Sequence, residues 1–204
     1  MTGRDQQILR AAEQLFAERS FAGVGVDEIG AAAGVTGSAI YPHFRSKQAI
    51  LAALFDEAID ALLEGIGASL ADPHDELWAL VRSQVGFATS HQRLAGVWFR
   101  EQRELAPEFR RSYQRRQRRY LDRWLACLAD CFPGHTRPDL LTAMRGVQSL
   151  LFSHALRPPG GQRAPDAPEL LTDLALAALA RLAAPGDPST TFPVTTASTF
   201  EVSN

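Results

Sequence analysis

The stretch Ala33-Gly34-Val35-Thr36-Gly37-Ser38-Ala39-Ile40-Tyr41-Pro42-His43-Phe44-Arg45-Ser46-Lys47 decides the fold. Gly34 marks the end of a short helix, because glycine takes the left-handed conformation past a helix terminus without a Cβ penalty. Thr36 is a good N-cap for a third short helix, on which Ile40 and Phe44, four apart, share one face. Ser46 caps the element that follows. Two short helices joined by Ala33-Gly34-Val35-Thr36, the second presenting small and polar residues, have the layout of a helix-turn-helix. A helix that enters a major groove about 12 Å wide must offer small or hydrogen-bonding side chains at its N-terminal end, and Thr36, Gly37, Ser38 and Ala39 do so. Tyr41, His43 and Lys47 add donors for phosphate oxygens. Tyr41 and His43 also suit the half-buried positions of an ordinary helical hairpin.

Upstream, Ile8, Ala11, Ala12, Leu15 and Phe16 recur at three- and four-residue spacing, which predicts a first helix that Phe21-Ala22-Gly23 breaks. A second helix starts near Asp27, with Asp27 and Glu28 in the first turn where the macrodipole favours acids. Downstream, Ile50, Leu51, Leu54, Phe55, Ala58, Ile59, Leu62, Leu63 and Ile66 form one stripe of a long amphipathic helix ending near Ala71-Asp72-Pro73. Further helical stretches are predicted at about 74–91, 94–104, 107–132, 137–156 and 167–183, punctuated by Pro107, Pro133-Gly134 and Pro158-Pro159-Gly160-Gly161. No segment alternates like a strand. The expected fold class is therefore all-α: a helix-turn-helix domain over residues 1–48, a helical domain over 49–184, and a Ser-, Thr- and Pro-rich tail over 185–204.

The 204 residues are 46% hydrophobic and 22% charged, enough apolar content for a sizeable core, and no apolar run approaches the roughly 18 residues a membrane span needs. The first residues carry no apolar segment ahead of a small-residue cleavage site, so a cytoplasmic protein without a membrane partner is expected. Cys127 and Cys131 are too few for a disulfide scaffold or a four-ligand zinc site, and their four-residue spacing on a helix suits buried small side chains better than a disulfide. The histidines show no H-E-x-x-H spacing, and neither a Gly-x-Ser-x-Gly nor a P-loop pattern exists. No metal, cofactor or catalytic residue is expected, and the chain is not expected to be an enzyme.

Net charge is −2, so any affinity for nucleic acid must come from a local surface. Charge is uneven along the chain: residues 51–97 carry seven acids against two bases, whereas residues 98–124 carry nine arginines against Glu101, Glu104, Glu108 and Asp122. Of 21 basic residues, 20 are arginine and one is Lys47.

Residues 8–51 resemble the DNA-binding domain of the TetR/AcrR family of bacterial transcriptional regulators. Ile8-Leu9-Arg10-Ala11-Ala12 with Leu15-Phe16 is similar to the family's first helix, Gly23 to Ile29 to its turn and second helix, and Ala33-Gly34-Val35-Thr36 through Ile40-Tyr41-x-His43-Phe44-x-Ser46-Lys47 to its recognition core. By that resemblance Thr36, Gly37, Ser38, Tyr41 and His43 face DNA, Lys47 holds a phosphate, and Ile40 and Phe44 are core. Three residues depart from the pattern. Gly25 stands where a capping Thr or Ser is common, Ser38 replaces a frequent Gly, and Pro42 lies inside the recognition helix, where a missing N–H should kink it.

In the second half, Trp98-Phe99-Arg100 and the run from Arg110 to Trp124 stand out. Arg116, Tyr120 and Trp124 share one helix face, and with Trp98 they suggest an apolar pocket with a basic rim, suited to an amphipathic anion such as an acyl-coenzyme A. The segment from Arg100 to Trp124 resembles that of TetR-type regulators of lipid and steroid catabolism in actinobacteria. The same residues also fit a plainer arrangement of core aromatics and solvated arginines paired with Glu101, Glu104 and Asp122. Broad apolar faces on 137–156 and 167–183 suit a homodimer through the last two helices, which would set two recognition helices on a near-palindromic operator. The expected function is a ligand-responsive repressor, with the fourth helix as lever between pocket and DNA. The alternatives are a helical protein-interaction module without sequence-selective DNA binding, and an acyl-thioester enzyme acting through Arg116.

Overall fold

In the computed structural model, residues 2–156 and 164–183 are described, and they form eight α-helices with no strand among them. The predicted 185–204 tail and the Pro158-Pro159-Gly160-Gly161 break lie outside the described residues. Helix α1 (Gly3–Arg19) opens on a reciprocal cap, Thr2 Oγ1 accepting from the Asp5 N–H while the Asp5 carboxylate accepts from the Thr2 N–H. Helix α2 (Val26–Ala32) has Gly25 at its N-cap. Gly25 has no side chain to accept from the first turn, and only the reciprocal half of a cap is present: Glu28 accepts from the Gly25 N–H at 2.7 Å and is held there by Arg19 at 2.6 Å.

Gly34 lies at φ +69°, as its position past the α2 terminus demands. The third element differs from the short α-helix expected. Gly37–Ile40 is a single 3-10 turn, followed by further turn to His43. Pro42 has no N–H to give to the Ser38 carbonyl, and beyond it the chain closes through the His43 and Phe44 N–H groups on the Ile40 carbonyl, each at 2.9 Å. The turn still seats on α2, because Gly30 lets the backbones meet: a Cβ there would stand 2.9 Å from the Gly37 nitrogen.

The longer helices follow their caps. Ser46 accepts from the Ala49 N–H at the head of α3 (Lys47–Gly65), and Asp72 from the His74 and Asp75 N–H groups at the head of α4 (Pro73–Ser90). Helix α5 (Gln92–Arg100) runs into a 3-10 turn at Glu101–Glu104. Proline opens α6 (Pro107–Cys131), a Thr136–Asp139 capping box opens α7 (Arg137–Ser153), and α8 (Ala167–Ala180) completes the set. One continuous core runs from Ile8 and Phe16 through Ile50, Phe55 and Ile59 to Trp124, Leu151 and Leu179. Among the described residues no helix is long and apolar enough to cross a membrane.

Helix α3 packs on α1, α4, α5 and α6, and polar side chains lace it to α6 along its length. Gln48 bonds to the backbone just before α6, Asp56 and Asp60 pair with Arg116, and Arg123 donates to the carbonyls of Ile66, Gly67 and Ala68 where α3 ends. The front of the molecule is joined by Arg100 on α5, which donates to the Phe16 and Ala17 carbonyls near the end of α1.

Candidate functional site

Two features carry the chemistry: an exposed polar turn at one end and a cavity among α5, α6 and α7.

The turn presents Thr36, Ser38, Ala39, Tyr41 and Pro42 to solvent above a buried Ile40 and Phe44. Thr36 Oγ1 and Ser38 Oγ lie 3.0 Å apart, so the two hydroxyls orient each other and leave donors and acceptors facing outward. Tyr41 is 56% exposed, an unusual position for a large aromatic ring. His43 is exposed as a residue but anchored, with Nδ1 2.7 Å from Asp5 Oδ1 on α1. The Thr2 backbone N–H and that histidine contact hold the Asp5 carboxyl below its usual range, the backbone bond contributing most.

Two residues of the expected nucleic-acid set sit otherwise. Lys47 does not point outward: its ammonium donates to the carbonyls of Phe21 at 2.9 Å and Val24 at 2.8 Å and lies 4.2 Å from the centre of the Phe21 ring. The lysine fastens α3 to the α1–α2 turn through these contacts. Gly37 turns its Cα toward Asp27, so its role is close packing on α2.

The cavity, open on one side to solvent, has a volume of about 360 Å³. Trp98, Phe99, Tyr120, Leu121, Met144 and Phe152 give it apolar walls, and Gln102, Gln117, Arg145 and Gln148 give it a polar rim. Aromatic contacts stiffen the walls: Trp98 lies 5.1 Å from Phe152, Phe99 stacks on Phe152 at 5.3 Å, and Phe87 meets both Trp98 and Phe152 edge-on. Tyr120 donates from its hydroxyl to Gln84 Oε1 at 2.9 Å, and burial pushes its phenol well above the ordinary tyrosine range.

Of the four residues expected to line this pocket, Trp98 and Tyr120 do. Trp124 is fully buried behind Tyr120, at 6.5 Å between rings, and does not reach the cavity. Arg116 is drawn to Asp56 and Asp60 on α3, so it is no part of the rim. The basic group at the rim is Arg145 on α7. Met144, Gln148 and Phe152 recur at the four-residue spacing of one face of α7, a signal present in the sequence but read there only as an association surface. Cys127 and Cys131 are free thiols, each packed with its sulfur against the Pro73 carbonyl. No cluster of three or more His, Cys, Asp or Glu side chains that could hold a metal ion occurs among the described residues.

Both halves of the chain are similar to known proteins. The family model described as "Bacterial regulatory proteins, tetR family" matches residues 8–54, and that for "Tetracyclin repressor-like, C-terminal domain" matches residues 70–144. The HTH-type transcriptional activator FasR of Mycolicibacterium smegmatis is 35% identical over 72 residues, which is 35% of this chain and 33% of FasR. The match thus spans about a third of that relative. The HTH-type transcriptional repressor KstR2 of Mycobacterium tuberculosis is 28% identical over 145 residues, 69% of this chain and 72% of KstR2. Among solved structures, AibR in complex with isovaleryl coenzyme A and operator DNA superposes with a TM-score of 0.70 over 83% of this chain and 94% of that one, at 23% identity.

Proposed function

Because this chain belongs to the TetR family of bacterial regulatory proteins, matched in both its N-terminal and its C-terminal domain, we propose that it is a DNA-binding transcriptional regulator released from its operator by a small amphipathic or acyl-type effector. The observation that carries the reading is the outward-facing turn of Thr36, Ser38, Ala39 and Tyr41, seated on α2 at Gly30 and offering hydroxyls where a major groove offers base edges. Residues 1–48 serve DNA and residues 49–184 serve ligand and partner. Thr36, Ser38, Tyr41 and His43 meet the DNA, while Lys47 and Gly37 position the turn.

The protein acts as a cytoplasmic homodimer. Leu170 and Leu174, 53% and 46% exposed on one face of α8, support this, since a monomer seldom leaves two leucines one helical turn apart in water. The partner's α7 and α8 would cover them, and the two recognition turns would then read a near-palindromic site. Repression is the sign we favour, because KstR2, named a repressor, matches twice the share of the chain that FasR, named an activator, does. Trp98 and Tyr120 read the effector, joined by Phe99, Met144, Arg145 and Phe152. The protein works by binding alone and catalyses nothing.

Selection of fragments from a random DNA pool, followed by anisotropy titration at several salt concentrations, tests the reading. A palindrome whose affinity collapses in Tyr41→Ala is the expected result. Recovery of nothing selective would instead make the chain a helical protein-interaction module.

A further inference from the structure

Cys127 and Cys131 are the chain's two cysteines, and both sulfurs reach one acceptor: the Pro73 carbonyl oxygen lies 3.3 Å from the first and 3.2 Å from the second. Both thiols are free, Cys127 buried and Cys131 half-buried. Two sulfurs on one oxygen are close neighbours, and at four-residue spacing they stand on one face at the C-terminal end of α6. The pair sits on the head of α4, far along α6 from the segment that Gln48 holds, and takes no part in the aromatic cavity.

The spacing selects what can join the two sulfurs. Residues four apart on a helix have Cβ atoms about 5–6 Å apart, whereas a disulfide holds them at about 3.8 Å, so a direct sulfur–sulfur bond would distort the helix. One atom set between the sulfurs removes the mismatch, because two bonds of about 2.3 Å in line put the sulfurs about 4.6 Å apart. Thiolates are soft ligands and select soft metals. An ion that needs four ligands, as structural zinc does, finds no cluster of three or more His, Cys, Asp or Glu side chains among the described residues. An ion that takes two thiolates in line needs only this pair.

The surroundings fit a cation. Asp72, Glu76 and Asp130 lie near enough for their charges to act on the thiols, and an acidic surrounding draws positive charge in. A half-buried site also favours a complex without net charge, which two thiolates on a divalent ion provide. The Pro73 carbonyl gives up the thiol protons at little cost, since it lies in the first turn of α4, where the helix ladder brings its own N–H.

We propose that Cys127 and Cys131 form a two-thiolate site for a soft divalent cation of the mercuric type. Cys131, the more accessible sulfur, takes the ion first, and Cys127 closes the chelate. Two S–H bonds break and two sulfur–metal bonds form. The two protons pass to solvent with the ligands the ion brought, and neither sulfur nor metal changes oxidation state.

Because the chain has no third thiol, the full-length wild-type protein decides the matter by itself. Mercuric chloride offers two positions to sulfur and methylmercury chloride one, so only the first can bridge. Native mass spectrometry should find one mercuric ion per chain with two protons displaced, and both cysteines should resist alkylation. A glutathione concentration that strips methylmercury should leave the mercuric ion in place. Cys127→Ser and Cys131→Ser should each hold that ion about a hundredfold more weakly against glutathione, the chelate having lost its second arm. Two mercuric ions per chain, equal stripping of the two reagents, a serine variant that holds the ion as wild type does, or Zn(II) held as firmly would each overturn the site. The stoichiometry and the methylmercury comparison need no substitution, so they stand even where a variant folds poorly.

Discussion

Gln48 and Ala106 are joined at 3.0 Å, the Ala106 N–H donating to the Gln48 side-chain oxygen while the Gln48 amide nitrogen donates to the Glu104 carbonyl at 2.9 Å. One side chain in the first turn of α3 thus pairs with a backbone segment 56 to 58 residues later, much as a neighbouring strand would. The segment leads directly into α6, which gives Gln117, Tyr120 and Leu121 to the aromatic cavity. Gln48 thereby couples the head of α3, which follows the recognition turn, to the backbone that leads into α6.

Gln48→Ala should therefore separate binding from response. Each lost neutral hydrogen bond costs about 0.5–1.5 kcal/mol, so the variant stays folded, with a modest fall in denaturation midpoint. Operator affinity without ligand should change little, whereas the fold-change on adding a saturating effector should shrink. Unchanged effector response in anisotropy titrations would show that the signal travels by the Arg116 and Arg123 contacts instead.

Lys47 gives the second test, because a phosphate contact and a structural contact leave different marks. A phosphate contact contributes about one unit to the slope of log affinity against log salt concentration, whereas a structural contact contributes to folding. With its ammonium on the Phe21 and Val24 carbonyls, Lys47→Met should lose about 2 kcal/mol of stability, within the range for hydrogen bonds to a charged group. The salt slope measured below the unfolding transition should stay as in wild type.

That residue also shows where sequence reading ends. Caps and breakers are local, so Thr36, Ser46, Pro73, Pro107 and Gly134 locate most element ends to within a few residues, but α3 stops at Gly65 and not near Ala71, because Gly67 at φ +57° turns the chain ahead of Pro73. Apolar spacing likewise locates Ile40 and Phe44 in the core. Long cationic side chains are different, since they choose partners by tertiary proximity. Arg116 shares a helix face with Tyr120, yet Asp56 and Asp60 on α3 draw it away from the cavity. Pro42 is legible as a disturbance, but the form it takes, a 3-10 turn closing on the Ile40 carbonyl, depends on packing against α2. Met144, Arg145 and Phe152 lie on a helix whose apolar face suits two partners at once, and periodicity cannot divide it between dimer and cavity.

Gly30 supplies a steric prediction with an internal control. In a helix interior Ala is favoured over Gly by about 1 kcal/mol. At Gly30 that gain is outweighed, because the new methyl would meet the Gly37 nitrogen at 2.9 Å and force the recognition turn off α2, at a cost of about 1–3 kcal/mol. Gly86 on α4 has nothing within 4 Å of the added Cβ, so Gly86→Ala should stabilise. Thermal melts of the two variants should move in opposite directions, and only Gly30→Ala should lose operator binding.

The Glu76–Arg123 pair sets a pH dependence whose sign can be worked out. Glu76 is 5% exposed and accepts from Arg123 Nε at 2.5 Å, Arg123 Nη2 at 3.1 Å and the Leu70 N–H at 2.8 Å. The Arg123 guanidinium, helped by the Leu70 N–H and against the opposing effect of burial, holds its carboxyl below the ordinary value of 4.5. A carboxyl with a depressed folded-state value binds fewer protons folded than unfolded, so stability rises with pH through that window. The contribution is fully present above the unfolded value and is lost as pH falls through the lower, folded one. Glu76→Gln leaves Arg123 among the Ile66, Gly67 and Ala68 carbonyls without its counter-ion, and should cost about 2–3 kcal/mol near neutrality, somewhat less than for a fully buried pair. Chemical denaturation at successive pH values should show the gap between wild type and variant closing below about 4.5, where the protonated carboxyl of the wild type and the neutral amide of the variant become alike in charge. A gap that stayed constant into acid would mean that Arg123 stabilises the end of α3 through its carbonyl contacts alone.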